Sequence, residues 1–145
     1  MTDADFMQRA IAVALINLGK TAPNPVVGCV IVRDGVMLAE AATGVGGRPH
    51  AEEQALQGVD ARGAVAYVTL EPCGARSSGT AACSTLLVAA GVARVVIACE
   101  DPHPLADGHG IVRLMAAGII VETGLLADEA WAALGYQQWK DDVNS

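Results

Sequence analysis

Val65-Ala66-Tyr67-Val68-Thr69-Leu70-Glu71-Pro72-Cys73 is the stretch on which the fold turns. Residues 65–70 carry β-branched and aromatic side chains with no breaker, which reads as a central strand. A proline then stops it and leaves a cysteine just past its carboxyl end. Upstream, residues 6–18 place apolar side chains at Phe6, Met7, Ala10, Ile11, Ala14, Leu15 and Leu18, a recurrence near three and four that predicts an amphipathic helix stopped by Gly19. Residues 26–32 read as a buried strand, Arg33-Asp34-Gly35 as a turn, and residues 36–42 as the returning strand of a hairpin. Residues 51–56 are good helix formers ended by Gly58. Downstream, a helix over 83–90 closed by Gly91, a strand over 94–98, a helix over 111–117, a strand over 119–121 and a helix over 127–139 complete the pattern, the last with Trp131 and Leu134 toward the core. A hairpin followed by alternating strands and helices predicts an α/β layer structure with a mixed sheet.

At 145 residues and 52% hydrophobic composition the chain is expected to form one domain spanning 1–145 around one sizeable core. Its longest apolar run, residues 26–32, is far short of the ~20 residues a membrane-spanning helix needs. Asp3 and Asp5 precede the first apolar residues, unlike a basic secretory leader, so a cytoplasmic location is the expectation. A net charge of −7 with only 3% aromatic residues argues against nucleic acid as partner and for a small molecule. Of the four cysteines, Cys29 and Cys99 lie in apolar strand-like runs and read as small core hydrophobes. Cys73 and Cys83 do not.

Those two join Pro49-His50-Ala51-Glu52 in a zinc inventory. A catalytic zinc site takes three protein ligands and leaves a fourth position for water, and His50, Cys73 and Cys83 supply that count. Glu52 falls in the first turn of the predicted helix behind His50, where it can reach the site without being a ligand and serve as a proton shuttle. Both cysteines are expected near helix starts, where the positive dipole end favours a thiolate. H-x-E followed by P-C-x-x-C is the known signature of zinc nucleobase deaminases. Here nine residues separate Cys73 from Cys83 where that signature has two, so the intervening loop must bulge.

Several stretches resemble the cytidine-deaminase superfamily, and more narrowly the deaminase domain of the riboflavin-biosynthesis deaminase/reductase proteins. They are Pro23-Asn24-Pro25-Val26-Val27-Gly28, Pro49-His50-Ala51-Glu52, residues 66–73, residues 89–96 and Asp101-Pro102-His103-Pro104. The resemblance implies a three-layer α/β/α fold with a five-stranded mixed sheet, assembly as a homo-oligomer (dimer or tetramer), and hydrolytic removal of an exocyclic amine from an aminopyrimidine. It implies Zn2+ held by His50, Cys73 and Cys83, proton transfer by Glu52, and contact between Asn24 and the substrate ring. The favoured substrate is the phosphoribosylated diaminopyrimidinone of riboflavin biosynthesis.

The chain departs from this family in its loops. Residues 74–82 replace the family's usual run between the two cysteines, and Thr43 stands where a histidine is often found. Arg76, with Ser77 and Ser78, can clamp a phosphate, and His103 can hydrogen-bond a polar substrate. The sequence shows no counterpart of the reductase half, so a separate reductase in the same pathway is an expected partner. Alternatives left open are a deaminase of another nucleobase, nucleoside or pterin, and an inactive deaminase-fold partner subunit.

Overall fold

A computed structural model describes residues 1–73, 82–100 and 109–136. Strand β1 (Gly28–Arg33) divides the interior in two, because successive side chains of a strand point to opposite faces. Cys29 and Ile31 enter one cluster, together with Ala66 and Val68 of β3 (Val65–Leu70) and Val95 and Ile97 of β4 (Arg94–Cys99). Val30 and Val32 enter the other, with Tyr67 and Val96. Strands β2 (Val36–Ala42) and β5 (Ile120–Thr123) form the edges of a five-stranded sheet in the order β2-β1-β3-β4-β5. β1 runs antiparallel to both β2 and β3, whereas β3, β4 and β5 are parallel.

Helices cover both faces. Phe6, Met7, Ala10, Ile11 and Ala14 of α1 (Asp3–Leu15) and Ala130 and Leu134 of α5 (Ala127–Leu134) pack with Tyr67. Ala51 and Ala55 of α2 (Ala51–Leu56), Leu87 of α3 (Cys83–Ala90) and Leu114 of α4 (His109–Ala116) pack with Cys29 and Val68. The expected three-layer arrangement with a mixed five-stranded sheet is therefore present. β1 lies close under α1: a Cβ built at Gly28 would stand 1.9 Å from the Ala10 carbonyl oxygen, so only glycine fits there. Among the described residues no helix is long and apolar enough to cross a membrane.

Element boundaries depart from the sequence reading where side chains intervene. Helix α1 starts earlier, at Asp3, because Thr2 and Asp5 form a capping box: Asp5 N–H donates to Thr2 Oγ1 at 3.2 Å and Thr2 N–H to Asp5 Oδ2 at 2.8 Å. It ends at Leu15, and the next turns are tightened by i to i+3 bonds such as Leu18 N–H to Leu15 O. β1 starts at Gly28 rather than at residue 26, since the Val27 N–H donates to Thr43 Oγ1 and the Val26 carbonyl accepts from Tyr136 Oη. α4 and β5 are likewise displaced from the expected 111–117 and 119–121, whereas β2, α2, β3 and α3 have the expected bounds.

Two polar clusters tie distant segments together. Tyr136, fully buried, sits 2.8 Å from the Thr69 hydroxyl and donates to Val26 O at 2.7 Å, while Thr69 Oγ1 also accepts from Gly28 N–H at 3.0 Å. At the other end of the sheet, Asp3 accepts from Tyr67 Oη at 2.6 Å and from two guanidinium nitrogens of Arg94, whose Nε donates to Glu122. Arg94 first, then Tyr67, holds the Asp3 carboxyl below its ordinary value, and Arg94 does the same for Glu122.

Candidate metal centre

His50 owes its position to the short loop before α2. It is the N-cap of that helix, in extended backbone conformation, and its N–H donates to Glu53 Oε1 at 3.1 Å. The Gln54 amide donates to Ala42 O at 2.7 Å and Pro49 O at 3.1 Å, which ties the loop back to the end of β2. On the far side of the site, the Glu71 N–H continues the sheet by donating to Cys99 O, and Cys73 follows two residues later. Cys83 is the first residue of α3.

These elements bring three donors together. The Nδ1 of His50 lies 3.2 Å from Cys83 Sγ and 4.0 Å from Cys73 Sγ, and all three donor atoms fall within 4.8 Å of one another. In a tetrahedral zinc sphere with Zn–S near 2.3 Å and Zn–N near 2.0–2.1 Å, neighbouring donors stand about 3.6–3.8 Å apart. The two Nδ1–Sγ separations fall on either side of that range and the two sulfurs stand no more than 4.8 Å apart, so the three donors are close enough to share one zinc ion. Soft thiolates with one imidazole, three protein donors among the described residues, suit zinc in a site that keeps an open position.

The sequence reading put both cysteines near helix starts. Cys83 opens α3, and Cys73 faces the first turn of that helix, whose Cys83 N–H donates to Cys73 Sγ at 3.1 Å. The field of a helix N-terminus therefore reaches both sulfurs.

Glu52 is buried at 3% exposure, in the first turn of α2. Burial pushes its carboxyl up to about 7, and the Cys73 charge adds to this, while its own backbone N–H, the nearby His50 and a bond with Cys83 act in the opposite direction. The carboxyl thus shares the space of the three donors. Cys29 lies beneath the site, and burial, then the charge of Glu52, raises its thiol well above the ordinary value. Cys29 and Cys99 are both buried, as expected of core thiols.

Asn24 sits at the side of the same loop. Its Nδ2 donates to Gly47 O at 2.9 Å, and its backbone is held by Thr21 through bonds of 2.7 and 2.9 Å. Gly47 has φ +96°, and a Cβ there would come within 2.8 Å of Asn24 Nδ2, so the approach of the two loops depends on that glycine. Thr43 is buried, with its hydroxyl turned inward to accept from Val27 N–H at 2.9 Å. Arg76, Ser77, Ser78 and His103 lie outside the described residues. Reasoning from sequence missed Glu53, Gln54 and Ser84, whose bonds hold His50 and Cys73. Only the Glu53 position, three residues past the helix cap, left a readable signal.

Comparison with known proteins agrees with this geometry. The family model for the cytidine and deoxycytidylate deaminase zinc-binding region matches residues 1–99, and the chain belongs to that family. It is 48% identical over 132 residues to the riboflavin biosynthesis protein RibD of Escherichia coli (strain K12), covering 90% of this chain and 36% of that protein. It is 44% identical over 132 residues to the diaminohydroxyphosphoribosylamino-pyrimidine deaminase of Buchnera aphidicola, covering 90% of this chain and 89% of that one. The solved structure of Acinetobacter baumannii RibD superposes with a TM-score of 0.91 at 46% identity, over 99% of this chain and 40% of that one. The chain thus spans little more than a third of the length of the E. coli relative and most of the Buchnera one.

Proposed function

We propose that this chain hydrolytically removes an exocyclic amine from the phosphoribosylated diaminopyrimidinone intermediate of riboflavin biosynthesis. The observation that carries the reading is the convergence of His50 Nδ1, Cys73 Sγ and Cys83 Sγ on one point, with the buried Glu52 carboxyl among them. The choice of substrate is supported by the Buchnera relative, a deaminase of that name which this chain covers almost entirely.

His50, Cys73 and Cys83 would hold zinc, which when bound supplies a Lewis acid that makes water nucleophilic near neutral pH. Every other part of the reaction falls to the chain's own groups. A Glu52 carboxylate oxygen takes a proton from water as the new C–O bond forms at the amine-bearing carbon. The same oxygen then returns the proton to the amine nitrogen, the C–N bond breaks and ammonia leaves. Burial suits Glu52 to both transfers, since a carboxyl raised toward neutrality gives and takes protons with similar ease. Asn24 has its Nδ2 committed to Gly47, so it presents Oδ1 as an acceptor to a ring N–H or amine. By side-chain chemistry, Arg76 and Ser77 suit the phosphate and His103 the polar ring or ribose. A homo-oligomeric assembly in the cytoplasm, one domain spanning 1–145 and a reductase acting on the product extend the same reading.

Ammonia release measured across phosphoribosylated and unphosphorylated aminopyrimidines, pterins and nucleosides tests it. The phosphoribosylated diaminopyrimidinone should turn over with the highest kcat/KM. Activity confined to unphosphorylated compounds would remove the riboflavin assignment, and no ammonia from any of them would remove deamination as well.

A further inference from the structure

Helix α3 begins without a capping side chain of its own: its N-cap is Ala82. The first N–H groups of a helix have no partner within it and need one from outside. Here a residue ten positions upstream provides it. Cys83 N–H donates to Cys73 Sγ at 3.1 Å and Ser84 N–H to Cys73 O at 3.2 Å. Ser84 Oγ adds a second, shorter bond to the same carbonyl at 2.8 Å, and Ser84 is fully buried. Cys73 is in effect the remote cap of α3.

Two donors on one carbonyl occupy both of its lone pairs. The Cys73 peptide cannot turn without breaking both bonds, and the sulfur of Cys73 is held relative to that of Cys83. Resting on the zinc reading above, we propose that Ser84 is a positioning residue for the metal centre. Its buried hydroxyl pins Cys73 to the start of α3 and so sets the spacing of the two sulfur ligands independently of the nine residues between them. Ser84 touches neither metal nor substrate in this role; it acts through Cys73. The departure of residues 74–82 from the family's usual run is then tolerated by the metal centre, because the ligand geometry is closed by α3 and not by the loop.

The full chain, with its zinc replaced by Co2+ for spectroscopy, provides the test. Zinc affinity is read by competition with a chromophoric chelator, and thiolate geometry by the cobalt d–d and charge-transfer bands. Ser84→Ala keeps the backbone N–H bond to Cys73, so it should fold. It should weaken zinc binding about tenfold, the lower end of what loss of a ligand-orienting partner costs, and should shift the cobalt bands. Ser84→Thr, which keeps the hydroxyl, should restore both. Thr69→Val removes a buried hydroxyl that does not contact Cys73, and should lower the thermal midpoint while leaving zinc affinity and cobalt bands unchanged. Ser84→Ala with the affinity and spectrum of the unmodified protein would overturn the proposal, as would an equal loss of affinity in Thr69→Val. Either result leaves the zinc reading standing, whereas an unmodified chain that takes up neither metal overturns both.

Discussion

Replacing Glu52 with glutamine separates proton transfer from metal binding. The residue is 3% exposed, so bulk water has no ready route to replace a lost proton carrier at this position. Glutamine keeps the volume and the hydrogen-bonding head but cannot take a proton from water and return it to nitrogen. A positioned general acid–base group contributes about 10²–10⁴ in rate, or about 3–5 kcal/mol of barrier. The variant should therefore lose about that factor in kcat, measured as ammonia release in single-turnover experiments, while retaining about one zinc per chain by atomic absorption. Stability should not fall with it. Burial already pushes the Glu52 carboxyl up to about 7, so a neutral amide removes the cost of placing a charge there. A Glu52→Gln protein within tenfold of full activity would refute the assignment of proton transfer to this side chain. One that lost zinc together with activity would show that Glu52 holds the site together and does not serve it as a shuttle.

Two further perturbations probe the scaffold. Tyr136→Phe deprives Val26 O of its donor and Thr69 of one partner at a fully buried position, and should destabilise the fold by about 1–3 kcal/mol in denaturant titration with zinc affinity unchanged. Arg94→Gln should flatten the acid limb of a plot of thermal midpoint against pH. In the native protein Asp3 and Glu122 have carboxyls held below their usual 3.8 and 4.5, so their contribution is fully present above those values and is lost as pH falls through the lower folded ones. An unaltered acid limb in the variant would show that the Asp3–Arg94–Glu122 cluster contributes nothing to acid stability.

Reading the chain unaided succeeded where the signal was local. The strand over Val65–Leu70 and the helices Ala51–Leu56 and Cys83–Ala90 follow from propensity and glycine stops, and their bounds match. With those in place, His50 and Cys83 each open a helix and Cys73 follows a strand, so the convergence of the three donors was visible as a consequence. What stayed hidden depends on side chains reaching across the fold. The Thr2 cap lengthens α1 by a bond that hydrophobic spacing does not register. Val26 and Val27 look like strand, yet the Val26 carbonyl accepts from Tyr136 Oη and the Val27 N–H donates to Thr43 Oγ1. Ser84 is one of several small residues in its stretch, and nothing in the linear order says that its hydroxyl meets a carbonyl eleven residues back. Asn24 was named only by resemblance, and the structure adds why its amide orientation is settled, through the Gly47 carbonyl.

The buried hydrogen bonds that join the Tyr136 and Thr69 hydroxyls to the Val26 carbonyl also have a consequence for biosynthesis. The bond from Tyr136 to Val26 spans 110 residues, and the one to Thr69 spans 67. As the polypeptide leaves the ribosome, β1 and β3 can pair well before Tyr136 has been made. Until then the Val26 carbonyl waits for a donor that arrives late and at high sequence separation, the kind of contact that slows folding. Helix α1, made first, already covers β1 and β3 on the α5 side of the sheet, so the part left open until α5 is synthesised is the strip over β4, and it is there that a chaperone would find apolar surface.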